Sequence, residues 1–232
     1  MVEEEWLAAT DPIRMLEFLR GKVSGRKMRL LACGCCRRIE HLLSDQLTRS
    51  TIELAERYTD GMADDAEWND AYFGLIDHRD SVSGPEYTQA TAALCTIVSF
   101  SRPDFHRLIF QGLIAARRVM APAAVNYITG DLENTDDIQK RFNDEGTRQS
   151  ELLRDVFGNP FRYTTLDNTW LTSTVLALAN GIYNDRAFDR LPILADALMD
   201  AGCSDEGILS HCRSEGAHCR GCWVVDLVLG KE

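Results

Sequence analysis

Apolar positions along this chain recur three and four residues apart, and hardly anywhere do they alternate, which is the pattern of amphipathic helices rather than strands. Asp11-Pro12 reads as an N-cap followed by proline at the first helical position, with Gly21 as the stop. Ser24 opens a second helix predicted to run to about Leu43. On it Met28, Leu31, Ala32, Cys35, Cys36, Ile39, Leu42 and Leu43 share one face. Further helices are predicted over residues 47–60, from Asp64 or Asp65 to before Ser83-Gly84-Pro85, and over 86–100. Others cover 105–127 with a kink at Pro122, then 136–157, 172–183, 191–201, 204–213 (capped by Ser204) and 219–229. On the last, Val224, Leu227 and Val228 share a face with Trp223 beside it, and all four are expected to be buried. The expected fold is all-α: a multi-helix bundle of about ten helices and no sheet of more than two short strands. It is read as a single helical domain over 1–232, with room for two packed helical submodules, 1–145 and 150–232.

Composition narrows the class. The 232 residues are 45% hydrophobic and 26% charged, enough to bury a normal core. A net charge of -11 argues against a nucleic-acid binder, whose affinity rests on Lys and Arg, and against an anionic membrane surface as partner. The opening Met1-Val-Glu-Glu-Glu-Trp6 lacks the basic and apolar regions of a secretory signal, and no apolar run is long enough to span a bilayer. A cytoplasmic location follows as the expectation. The eight cysteines are then expected to be mostly reduced, the more so because Cys33, Cys35 and Cys36 lie too close together to pair comfortably within one helix.

Charge is uneven. Between Pro12 and Arg38 the residues Arg14, Arg20, Lys22, Arg26, Lys27, Arg29, Arg37 and Arg38 stand against a single acid, Glu17. Arg26, Lys27, Arg37 and Arg38 fall opposite the apolar face of the second helix, a candidate docking face for an acidic protein partner. The competing account is a charged face satisfied by acids elsewhere in the fold. Cys33 sits on the same side, one turn from Arg29 and from Arg37; nearby positive charge lowers a thiol pKa, which makes it the candidate reactive thiol. The competing account is an inert cysteine, and Cys35 and Cys36 read as small core residues.

The densest collection of metal-ligating residue types is C-terminal: Cys203, His211, Cys212, His218, Cys219 and Cys222. Cys219-x-x-Cys222 has the short-pair spacing of zinc sites, and Cys203, Cys212, His218, Cys219 and Cys222 are the candidate ligands. No second clean pair accompanies it, since His211 and Cys212 are adjacent and cannot both turn easily to one ion. Buried cysteines with satisfied histidines remain the alternative. Glu215-x-x-His218 occurs once, whereas a di-metal carboxylate centre needs the motif twice. The chain contains no G-x-S-x-G, H-E-x-x-H or G-x-x-x-x-G-K-[ST] motif.

The segments Phe157-Gly-Asn-Pro-Phe-Arg162, Trp170-Leu-Thr, Ile182-Tyr-Asn-Asp-Arg-Ala-Phe-Asp-Arg190, Leu194-Ala-Asp-Ala-Leu198, Ala201-Gly-Cys203, His218-Cys-Arg-Gly-Cys-Trp-Val-Val-Asp226 and Gly230-Lys231 carry a resemblance. Trp6-Leu, Met15-Leu-Glu-Phe-Leu19 and Cys35-Cys-Arg-Arg38 extend it to the N-terminal half. The chain resembles an uncharacterised bacterial helical family whose C-terminal module is found attached to other regions. The resemblance implies a helical module there and no particular activity. In that family position 219 is usually apolar, so the cysteine here speaks against a shared zinc site that uses Cys219. Two readings follow. One is a non-catalytic helical module for protein–protein interaction or regulation. The other is a structural-zinc protein, or an enzyme with its site among Arg162, Asp185, Arg186, Asp189, Arg190, His211, His218 and Trp223.

Overall fold

The computed structural model describes residues 1–97, 109, 111–116 and 135–231. Every regular element among them is helical, and none is a strand. Among the described residues no helix is long and apolar enough to cross a membrane. Most of the helix at 105–127 expected from the sequence, including Pro122, lies outside the described residues, as does the end of the one expected over 86–100.

Side-chain caps fix the starts of many of the helices. Asp11 accepts from the Ile13 amide, Ser24 from Lys27, Asp45 from Thr48, Asp64 from Ala66 and Glu67, and Thr172 from Val175. Each satisfies a donor that the first helical turn leaves without an intrahelical partner. The late cap differs from expectation: Asp205, not Ser204, accepts from the Ile208 amide at 3.0 Å, because the helix Glu206–Cys212 begins one residue later. The second long helix also stops early, at Arg38. The Ile39 amide bonds the Cys36 carbonyl, tightening the chain into a 3-10 turn over Glu40–Leu42, so Leu42 leaves the apolar face and is exposed.

The chain forms two compact units, Ala9–Ser150 and Met1–Ala8 with Glu151–Glu232; the division falls inside the helix Thr135–Phe157. In the Ala9–Ser150 unit, the helices Gly25–Arg38, Gln46–Thr59, Asp65–Ser81 and Gly84–Leu94 pack together around Cys33, Cys36, Ile39, Ile52, Leu75 and Ile97. Gly25–Arg38 is buried around most of its circumference, Arg29, Leu30 and Cys33 included. The Arg29 guanidinium lies 4.1 Å from the Trp68 ring centre and 5.5 Å from that of Tyr58. Burial brings its pKa down to about 10.

In the other unit, the helices Ser173–Asp185, Leu191–Asp200, Glu206–Cys212 and Trp223–Leu229 enclose Val175, Ile182, Leu194, Leu198, Ile208, Val224 and Val228. Val224 and Val228 are buried as the spacing predicts, together with Val225 and Asp226. Trp223 and Leu227 are only half-buried at the edge of this core. The helix expected over 219–229 starts at Trp223; before it, Cys219 to Cys222 make a turn closed by the Cys222 amide on the Cys219 carbonyl.

Candidate metal centre

The residues expected to carry chemistry separate sharply once they are placed. Arg26, Lys27, Arg37 and Arg38 are all half-buried. Arg37 makes two hydrogen bonds to the Glu56 carboxylate, at 3.2 and 3.0 Å, and one to Glu40 at 2.8 Å. Arg38 makes a two-pronged pair with Glu145, both bonds at 3.1 Å, and Arg26 lies 3.5 Å from Asp60. Glu56 and Glu145 are themselves buried, so the charges on these arginines are committed inside their own unit rather than offered on an open face. Cys33 is 1% exposed, so the thiol read as reactive is closed off from solvent. Cys36 donates to the Ala92 carbonyl, and burial, with the neighbouring Cys33, raises its pKa well above the usual thiol value.

The C-terminal cluster behaves differently. Asp155, His211, His218 and Cys222 offer ligand atoms that all lie within 4.8 Å of one another. They come from four places: the last turn of Thr135–Phe157, the last turn of Glu206–Cys212, the loop before Cys219, and the residue that opens Trp223–Leu229. His218 Nδ1 is 2.6 Å from Asp155 Oδ1, and His211 Nε2 is 3.2 Å from the same oxygen. His211 Nε2 is also 3.1 Å from Cys222 Sγ. The second carboxylate oxygen, Oδ2, accepts the Cys219 amide at 2.9 Å. The far side of His218, Nε2, faces the Ser214 carbonyl and hydroxyl, each at 3.4 Å. The His211 ring stands edge-on to His218 and packs against Trp223.

Electrostatics follow from this arrangement. Asp155 is buried, which pushes its carboxyl up, but the hydrogen bonds and charges of His211 and His218 more than offset that and hold it at about 2. Burial pushes His218 down, and the bond to Asp155 outweighs it, so its pKa ends above the ordinary histidine value. Burial, and then the Asp155 charge, drive the Cys222 thiol well above its usual range, with the Val225 and Val224 amides opposing.

Of the candidate ligands, His218 and Cys222 belong to this group, and Cys203, Cys212 and Cys219 do not. Cys203 and Cys212 are buried core thiols. Cys212 lies near the group without joining it, and its adjacency to His211 on one helix turn makes it hard for both to face one ion. Cys219 contributes its backbone amide rather than its sulfur. Asp185, Arg186, Asp189 and Arg190 are exposed and stand outside the group. Arg162 is bonded to Glu3. Asp155 had no local signal: it lies in the run Glu151-Leu-Leu-Arg-Asp-Val-Phe157, far in sequence from the histidines. A carboxylate on the buried side of an otherwise apolar helical turn was the only hint available.

No family model, no curated protein and no solved structure matches the chain.

Proposed function

We propose that the C-terminal unit is a non-catalytic helical interaction or regulatory module fastened by one structural metal ion. Asp155 Oδ1, His211 Nε2, His218 Nδ1 and Cys222 Sγ are the ligands. The observation that carries this reading is that the Asp155 carboxylate and the Cys222 thiol both face the same nitrogen of His211. A thiol relay needs the thiol on one ring nitrogen and the acid on the other, so that a proton can pass along the imidazole. A carboxylate and a thiol on one nitrogen, with a second imidazole on the same carboxylate oxygen, instead surround a point that a cation would fill, the thiol giving up its proton as the ion binds.

The donor set fits zinc: one soft thiolate, two imidazoles and one carboxylate, which is a complete tetrahedral shell. Ligand atoms around zinc stand roughly 3.3–3.8 Å apart, given bonds of about 2.0–2.3 Å. Three of the six separations, 2.6, 3.2 and 3.1 Å, are shorter than that and the whole set lies within 4.8 Å, so the four atoms would shift by about 1 Å to close around the ion. The outer contacts fit too, since metal-bound histidines give their other nitrogen to a carbonyl and metal-bound carboxylates are themselves hydrogen-bonded. Ser214 and the Cys219 amide stand in those places. Four protein ligands leave no open position for water or substrate, which favours a structural role over a catalytic one. Because Cys219 acts through its amide, the apolar residue usual at that position in the resembling family is compatible with the same site.

The test is metal analysis of the full chain purified, stripped and reconstituted with zinc. One zinc per chain in the native protein, lost in Asp155→Asn and in Cys222→Ser, is the expected result. A native protein that retains no divalent metal after reconstitution would overturn the reading.

A further inference from the structure

The chain's first helix belongs to the same unit as the metal centre, although some 140 residues of sequence intervene. Trp6 on the helix Glu3–Ala8 is fully buried, and its indole N–H donates to the Gly158 carbonyl at 3.0 Å. Arg154 Nη1 donates to the Trp6 carbonyl at 3.2 Å. Glu3 takes a hydrogen bond from Asn159 at 2.8 Å and one from Arg162. Arg154, Gly158, Asn159 and Arg162 therefore make a surface that reads two features of its occupant: an indole and an acid one helical turn before it.

This surface and the metal centre share one stretch of backbone. Arg154 holds the Trp6 carbonyl, and the next residue, Asp155, holds both histidines. Gly158, at φ 62, presents its carbonyl to Trp6, while its Cα faces the Trp223 ring. A Cβ placed there would meet the Trp223 ring at 3.2 Å, so only glycine gives both contacts without displacement. Trp223 in turn packs on His211, ring centres 5.2 Å apart. The path from the first helix to the metal ligands is thus a continuous set of packed groups with one covalent step and one tilted ring contact.

We propose that Arg154, Gly158, Asn159 and Arg162 form a docking surface for an acidic, tryptophan-bearing helix, occupied in this chain by its own Glu3–Ala8 segment. We further infer that occupation of this surface and metal loading reinforce each other. The inference rests on the metal reading above. Each event fixes the Arg154–Gly158 backbone in the conformation the other needs, so whichever happens second loses less conformational freedom. Coupling of this kind is reciprocal: the factor by which metal tightens the helix is the factor by which the helix tightens the metal.

The experiment uses the full chain. Backbone amide exchange of residues 3–8 is followed by mass spectrometry in the zinc-loaded protein and after chelation, and zinc affinity is measured by competition with a chelator in the native chain and in Glu3→Gln and Trp6→Ala. Chelation is expected to speed exchange of residues 3–8 by about tenfold or more, and Trp6→Ala to weaken zinc by a similar factor, with a smaller effect for Glu3→Gln. Should Trp6→Ala fail to fold, the native exchange comparison and Glu3→Gln decide alone. If zinc binds at one per chain but exchange of residues 3–8 is the same with and without it, the coupling is overturned while the metal reading stands. If no metal binds, both fall.

Discussion

Two stretches of this chain carry thiols beside other chemically eager residues, Arg29–Arg38 and Cys203–Cys222, and the fold treats them in opposite ways. In the first, Cys33, Cys35 and Cys36 face a core of Ile39, Ile52, Ala55 and Leu75 or lie beside it, and the arginines turn to buried glutamates. Arg37 and Arg38 are matched by carboxylates inside their own unit, and Arg29 lies over the Trp68 and Tyr58 rings. In the second, His211, His218 and Cys222 turn toward each other and toward one buried carboxylate. What separates them is not density of reactive residue types, which is similar. It is whether anionic and imidazole groups are left converging on a common point. Arg37 and Arg38 are neutralised pair by pair, while the histidine stretch gathers a carboxylate, two imidazoles and a thiol around one point. Convergence of that sort is costly in a low-dielectric interior unless a cation or proton resolves it.

The largest effect expected from breaking this contrast is on the arginine side. Arg38→Ala would strand Glu145, whose side chain is 1% exposed. Removing one partner of a buried pair costs about 3–5 kcal/mol, because the remaining charge stays desolvated. The melting temperature should fall by many degrees, with or without zinc. If it scarcely changed, the arginines would be free of internal duty and the face would again qualify as a docking surface.

Next in size is the metal itself. Zinc in excess should stabilise the native chain by about 3–4 kcal/mol at free concentrations of 100 to 1,000 times the dissociation constant. Cys222→Ser and Asp155→Asn should lose that increment. Differential scanning calorimetry with zinc and with chelator reads it directly, and equal stability in both would remove the metal from the account. The pH dependence sharpens the same test. The proton on His218 is held above the ordinary value of 6.5 by Asp155 and must leave before Nδ1 can bind a cation. Zinc affinity should therefore climb as pH rises through and beyond 6.5, and weaken as it falls. An affinity flat between pH 5.5 and 8 would mean that His218 is not a ligand.

A smaller effect is expected at Cys33. With 1% exposure its thiol should resist alkylation in the native state, and Cys33→Ala should cost about 1 kcal/mol through the small cavity left. Fast modification by iodoacetamide in the folded chain, read by mass spectrometry, would show instead an accessible and activated thiol.

The helices were largely legible in the sequence because their signals are local. Asp11-Pro12, Ser24, Asp64 and Thr172 act within three residues of where they sit, and so their caps could be placed without tertiary information. Half of the candidate site was legible too: His218 and Cys222 share one short segment with a recognisable spacing. Asp155 was not, since its role depends on a contact 63 residues away, and its place on the apolar side of its helix says that it is buried but not what it meets. The attachment of Met1–Ala8 to the C-terminal unit escaped for the same reason: Trp6 meets Gly158 across 152 residues. The arginine face also depends on distant partners. Helical spacing correctly put Arg37 and Arg38 away from Met28 and Leu31, but a face opposite one core can lie against other helices, and here Glu56 and Glu145 come from such neighbours.

The smallest expected effect is also the one that discriminates most finely between spacing and geometry. Cys219-x-x-Cys222 looks like a ligand pair, and a site built on it would lose metal when either sulfur is removed. The fold uses the two cysteines differently. Cys222 Sγ stands 3.1 Å from His211 Nε2, whereas Cys219 reaches the centre only through its amide, which holds Asp155 Oδ2 at 2.9 Å. A side-chain exchange at 219 leaves that amide in place. Cys219→Ser should therefore keep one zinc per chain with an affinity within about twofold of the native protein, and Cys219→Val should do the same, because an apolar residue suits a position only 8% exposed. Cys222→Ser should lose the metal. Cobalt substitution gives the readout: the intense thiolate-to-cobalt absorption should persist in both Cys219 variants and vanish in Cys222→Ser. If Cys219→Ser and Cys222→Ser both lost the metal, the ligand set would include both sulfurs, and Asp155 would be displaced from the shell to the role of an acceptor for His218.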